Sequence, residues 1–260
     1  MKLLKRLTGT VTAPRRLRHY NVAFAGLMLL YLPQTWAALA IDRSRIVINE
    51  GTKSISINVT NKNTQQPYLA QAWIESEMGE KVHEPFMVIP PLQRMEADSR
   101  SKLRITAINL PGALPDDREQ VFYLNLREIP PKSEQSNVLM LAMQTRIKIF
   151  YRPKSLAVSS AETSVPGAEM LTLEKRAEGY IINNPTAYYF SFVNLRSASG
   201  GNRWKDFTPV MVAPFSSAPL DLKNRDPGNN PVLSFVNDYG SQQSLPFSCN
   251  GKTCQAGRPI

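Results

Sequence analysis

The 260-residue chain is 42% apolar, which excludes a disordered protein, and it is long enough for two domains of about 100 to 150 residues each. Twenty Pro against thirteen Gly, with Val, Ile, Thr, Tyr and Phe in short runs, favour many short strands over helices. The formal charge of +10 does not mark a nucleic-acid binder, because six basic residues, Lys2, Lys5, Arg6, Arg15, Arg16 and Arg18, all precede Tyr20.

Those six are followed by an apolar segment, Val22 to Leu32, and by the small-residue end Thr35-Trp36-Ala37-Ala38-Leu39-Ala40. This order predicts a secretory signal over residues 1–37. Pro33 interrupts the segment short of the about 20 apolar residues a membrane span needs, so no membrane insertion is expected after cleavage. Removing the six basic residues lowers the charge from +10 to +4. Cys249 and Cys254 are the two cysteines, and in an oxidising compartment SCNGKTC reads as a disulfide across a hairpin. A metal site is the weaker reading, since two thiolates fill half a tetrahedral shell and His83 is the one histidine left after cleavage.

In the exported chain, Arg45 to Ile48 and Ser54 to Thr60 alternate as strands and end in turns. Tyr68 to Glu75, Phe86 to Ile89, Lys102 to Ile105 and Gln120 to Leu126 follow with turn residues between them. The stretch from Asn137 to Pro153 reads as one long strand with an irregularity. Thr145, Ile147, Ile149 and Tyr151 alternate with Gln144, Arg146, Lys148 and Arg152, but both rows are apolar from Val138 to Met143. Either this strand is buried on both faces, or it lies at a sheet edge and keeps one apolar row for a partner. About seven strands of this kind predict an antiparallel sandwich over residues 38–158. A polar link around Ser159 to Pro166 leads to a second, smaller sandwich over residues 159–260, with strands near Met170 to Glu174, Gly179 to Asn183, Tyr188 to Leu195, Val210 to Pro214, Val232 to Asn237 and Ser244 to Cys249.

The mature chain resembles the periplasmic pilus chaperones of the chaperone-usher pathway. The resemblance rests on Ser44-Arg45-Ile46-Val47, Ile89-Pro90-Pro91-Leu92, Leu103-Arg104-Ile105, Asp117-Arg118-Glu119, Asn125 to Pro131, Asn184 to Tyr189, Val236 to Gly240 and the Cys249/Cys254 pair, in that order. It implies an all-β fold of two immunoglobulin-like sandwiches set as an L with a cleft between them. Such chaperones cover the unpaired edge of an unfinished pilus subunit with their own strand and pass it to an outer-membrane usher. Carried onto this chain, the donor residues are Leu139, Leu141 and Met143, with Val138, Met140 and Ala142 holding the home core. Arg45 and Lys148 match the pair that binds the subunit's terminal carboxylate. Glu119, Arg152 and Asp238 match an interdomain ion-pair network. The short segment from Pro131 to Asn137 resembles the short-loop branch of the family. The expected partners are pilus subunits and an usher in the periplasm, with no cofactor; the exposed strand is also compatible with a self-capping dimer.

Two other classes compete. An enzyme would depend on His83, which has no nucleophile motif around it, and no phosphate loop or metal-ligand spacing is present. A secreted adhesion or carbohydrate-binding sandwich would need a loop-borne aromatic site, for which Trp204 is a lone candidate.

Overall fold

The computed structural model describes residues 38–108, 114–133, 137–159, 164–177, 179–222 and 225–260. The expected signal at residues 1–37 lies outside these, as do residues 134–136 of the short loop and 160–163 of the link. The first domain contains β1 (Leu39–Ile41), β2 (Arg45–Asn49), β3 (Ser54–Asn61), β4 (Tyr68–Glu75), β5 (Lys81–Val82), β6 (Phe86–Ile89), β7 (Leu92–Met95), β8 (Arg100–Ala107), β9 (Gln120–Ile129) and β10 (Gln144–Arg152). They form two layers, β1-β3-β8-β6 and β2-β10-β9-β4-β5, with β7 also paired to β4. Alternation explains the layering, because Ile57 and Val59, Ala70, Ala72 and Ile74, Leu103 and Ile105, and Ile147 and Ile149 all point into one core. Phe86 crosses between the layers, with its ring 5.3 Å from Phe122 and 5.9 Å from Tyr151.

The predicted strand from Asn137 to Pro153 is realised only in part. Its ladder to β9 runs from Gln144, opposite Arg127, to Tyr151, and Met143 adds one bond by accepting from the Glu128 amide at 2.9 Å. Beyond it β9 offers the ladder no further partner, since β9 ends at Ile129 and Pro130 and Pro131 have no N–H to donate.

The second domain contains β11 (Thr172–Arg176), β12 (Gly179–Asn184), β13 (Phe190–Arg196), β14 (Val210–Val212), β15 (Ser216–Leu220), β16 (Val232–Val236), β17 (Gln242–Asn250) and β18 (Thr253–Ala256). Their order is β14-β13-β16-β17-β18-β11-β12-β15. β17 passes from one layer to the other: Gln242 to Pro246 pair with β16, and Phe247 to Asn250 pair with β18. Phe190, Phe192 and Phe235 pack together in the core so enclosed.

Cys249 and Cys254 face each other across the β17–β18 hairpin and are disulfide-bonded. Closing so small a loop restricts the unfolded chain modestly. The Cys249→Ser/Cys254→Ser protein should therefore lose about 2 kcal/mol, read as a lower midpoint in denaturant unfolding, while still folding.

Candidate functional site

β2 runs parallel to β10 with Arg45 opposite Lys148, so two cations from distant parts of the chain meet at one end of the sheet. Both line a cavity of about 440 Å³ between the domains, whose far wall includes Ser191, Val210 and Met211. None of its lining residues is acidic. The Arg45 guanidinium lies 5.5 Å from the centre of the Phe150 ring and donates from Nη1 to the Val236 carbonyl at 2.6 Å. Its Nε is buried with no hydrogen-bond partner among the described residues. Burial pushes the Arg45 pKa down, partly offset by Asp238 and Glu119. Lys148 is half-buried, and its pKa is also lowered, first by burial and then by repulsion from Arg45 and Arg146. Among the described residues Lys148 has no ion-pair partner. Two partly desolvated cations in a cavity with no acidic lining residue among those described form a site that suits a carboxylate, which would supply charge-assisted hydrogen bonds and relieve their repulsion.

The wall opposite the second domain carries another cation. Arg146 donates from Nε to Glu75 Oε2 at 3.2 Å, and its guanidinium carbon lies 3.4 Å from the centroid of the Tyr123 ring. Glu75 is itself held by Trp73 Nε1 at 2.8 Å.

The cleft is braced by buried charge. Arg152 contacts Glu119 Oε1 at 2.7 Å through Nη2 and grips Asp238 with Nη1 and Nη2 at 2.8 and 3.1 Å. Glu119 belongs to the first domain, yet its Oε2 accepts from the Tyr189 amide at 2.8 Å and its own N–H donates to the Ala187 carbonyl at 2.9 Å. Burial is the strongest influence on the Glu119 carboxyl and leaves its pKa above the ordinary value, against the pull of Arg152. On Arg152 the two carboxylates outweigh burial, and its pKa is raised. Asn237 builds the turn that presents Asp238: its Oδ1 accepts from the amides of Tyr239 and Ser241 at 3.1 and 2.9 Å. The turn needs Gly240, whose φ is +85° and whose missing Cβ would stand 2.7 Å from Ser44 Oγ. Val121, Phe150 and Tyr189 add a small apolar cluster between the domains.

From Val138 to Met143 the chain projects beyond the ladder with every residue exposed. Leu139, Leu141 and Met143 are 83%, 70% and 52% exposed. The expectation that Val138, Met140 and Ala142 hold the home core is wrong: Val138 and Met140 are 48% and 49% exposed, and Ala142 is exposed too. Parity gives the reason. Ile147, Ile149 and Tyr151 are the buried row of β10, and counting back by twos reaches Met143, Leu141 and Leu139. Ahead of the strand's start, Leu139, Leu141 and Met143 thus share parity with the buried row, while Val138, Met140 and Ala142 share parity with Arg146 and Lys148.

Arg45 with Lys148, and Glu119 with Arg152 and Asp238, are each brought together as expected. Sequence reasoning missed Tyr123, Arg146, Tyr189 and the Val236 carbonyl. Arg146 alone left a usable signal, since it lies two residues before Lys148 on the same face. His83 lines a separate apolar groove with Trp73 and Leu92, and Trp204 packs on the second core with Arg225 over its ring at 5.0 Å.

Residues 38–157 match the family described as pili and flagellar-assembly chaperone, PapD N-terminal domain. Residues 166–247 match the pili assembly chaperone PapD, C-terminal domain. The chain is 41% identical to the probable fimbrial chaperone YfcS of Escherichia coli strain K12, over 84% of this chain and 86% of that protein. It is 40% identical to the chaperone protein PapD of Escherichia coli, over 90% and 96% of the two chains. Among solved structures, the periplasmic chaperone SfaE superposes with a TM-score of 0.64 at 29% identity, covering 80% of this chain and 98% of that one. Among the described residues, no helix is long and apolar enough to cross a membrane.

Proposed function

Because the chain belongs to the pili and flagellar-assembly chaperone family, we propose that it binds unfinished pilus subunits in the periplasm, covers their open edges with its own strand and delivers them to an outer-membrane usher. In this reading residues 1–37 are the export signal, 38–158 the capping domain and 159–260 the second wall of the cleft. Leu139, Leu141 and Met143 enter the apolar groove of the subunit, and Arg45 with Lys148 holds its terminal carboxylate, which sets the register of the added strand. Glu119, Arg152 and Asp238 keep the two walls at a fixed separation. The work is binding alone, driven by burial and charge pairing, so neither ATP nor a cofactor takes part. Between deliveries the same exposed row gives two copies a means of capping each other.

The observation that carries the reading is an apolar row, Leu139, Leu141 and Met143, left in water just ahead of the strand that carries Lys148 opposite Arg45. Each of the three donor side chains would contribute about 1.5 to 3 kcal/mol on burial, before ordering costs. Co-expression with candidate pilus subunits, followed by mass spectrometry of what co-purifies, tests it. Leu141→Glu should abolish recovery while leaving the thermal midpoint unchanged, because Leu141 touches little of its own domain. Undiminished recovery would end the donor-strand assignment, and unfolding would return Leu141 to the core.

A further inference from the structure

Two buried polar atoms of residues that line the cavity between the domains have no hydrogen-bond partner among the described residues, and they come from opposite walls: Arg45 Nε in the first domain and Ser191 Oγ in the second. Ser191 is 4% exposed, so bulk water does little for its hydroxyl, and a buried hydroxyl left unpaired is costly. Its direction follows from the strand. Phe190 and Phe192, its neighbours on β13, are fully buried in the second core, so Ser191 points the other way, toward the first domain, as does Met211 opposite it. Its position follows from the ladder. Phe192 pairs with Phe235, and continuing that register by one residue brings Ser191 beside Val236, whose carbonyl accepts from Arg45 Nη1 at 2.6 Å. The orphaned hydroxyl thus stands next to the residue that already ties Arg45 to the second domain.

The chemistry of these groups narrows what would satisfy them together. An arginine Nε–H can only donate, a charged lysine likewise, and a serine hydroxyl has one proton to give. What accepts from all three is an anion with at least two oxygens, and the cavity lining supplies none. We propose that Ser191 is a further binding residue for the guest's terminal carboxylate, donating through Oγ to it from the second domain while Arg45 and Lys148 hold it from the first. This inference rests on the carboxylate-anchor reading above. It makes the guest's chain end a bridge between the two walls of the cleft.

Fluorescence-anisotropy titrations of the purified exported protein test this with a synthetic peptide of alternating valine and serine, prepared with either a free carboxylate or a carboxamide end. Ser191→Ala should bind the free-acid peptide about tenfold more weakly, the scale of one hydrogen bond to a charged group, while its affinity for the amide peptide changes much less. Its thermal midpoint should match or exceed that of the wild type, because the hydroxyl has no partner among the described residues to lose. Ser191→Thr keeps a hydroxyl and should retain most of the preference for the free acid. An unchanged acid-to-amide ratio in Ser191→Ala, or a midpoint lowered by several degrees, would overturn the role of Ser191 while leaving the anchor standing. If the wild type binds acid and amide alike, or binds neither, the anchor and the inference built on it both fall.

Discussion

Lys148→Ala is expected to give a protein as stable as the wild type, or slightly more so, that recovers no pilus subunit. The first half follows from the sign of the pKa shift. A lysine whose folded pKa lies below its ordinary value is harder to keep charged in the folded state than in the unfolded one, so at neutral pH its charge opposes folding. Burial, Arg45 and Arg146 are the causes, and removing the ammonium removes all three at once. The second half follows from what a bound carboxylate does. It turns that unfavourable charge into one half of a desolvated pair, and truncating one partner of such a pair costs about 2–5 kcal/mol of binding, or roughly thirty- to several-thousand-fold in affinity. The same argument fixes the pH dependence of wild-type capture. Affinity should decline on the alkaline side as Lys148 loses its proton, at a pH below that at which a free lysine titrates. On the acidic side it should decline near the pKa of a chain terminus, about 3.5, as the guest's carboxylate is neutralised. A pull-down series across pH, with circular dichroism confirming the fold, checks both limbs. Normal recovery by Lys148→Ala, or a drop in its thermal midpoint of several degrees, would show that Lys148 is an ordinary structural residue.

The strands with one strictly apolar face were legible almost to the residue. Tyr68–Glu75 and Phe86–Ile89 match their predicted bounds because a one-residue slip would turn Ala70, Ala72 and Ile74, or Phe86 and Val88, into water. The edge strands β5, β7 and β15 were not legible. Lys81–Val82 is two residues long, Leu92–Met95 follows two prolines, and Ser216–Leu220 contains Pro219, so none has the run or the alternation that marks a buried face. The even-numbered row of β10 holds the deeper lesson. Read alone, Gln144, Arg146, Lys148 and Arg152 make a solvent face, and the lower part of that row is partly exposed. From Phe150 onward the second domain covers it, so Phe150 and Arg152 are buried on the polar side of their own strand. Burial imposed by a separate domain leaves no periodic trace, and for the same reason Tyr189 could not be paired with Phe150 in advance. Leu139, Leu141 and Met143 stand exposed, but the row opposite them was given to a core that ends before reaching it.

Arg152→Ala should be the most destabilising single substitution at the site. It strands the Glu119 carboxylate, almost fully buried, with the Tyr189 amide as its one remaining partner of those described, and breaking a buried pair from one side costs about 3–5 kcal/mol. Asp238 suffers less, since it is partly exposed and water can replace the lost contacts. Loss of Arg152 also removes the strongest influence holding the Glu119 pKa down, so a pKa already raised by burial rises further. A carboxyl with a raised folded pKa contributes stability below its unfolded pKa, and that contribution disappears as pH climbs through the folded value. The deficit of Arg152→Ala, measured by denaturant unfolding, should therefore shrink on acidification from neutral pH; a deficit that grows instead would mean Glu119 is not the stranded charge. Stability and orientation can then be separated with Arg152→Met/Glu119→Leu, which replaces the buried ions by apolar groups of similar size. Such replacements commonly match or exceed the stability of the original pair. The double variant should therefore unfold near the wild-type midpoint and yet capture subunits poorly, because the two-point grip of Arg152 on Asp238 that ties the domains together is gone. Full capture by this variant would assign the setting of the cleft to the Val121–Phe150–Tyr189 contact and leave the ion network a role in stability alone.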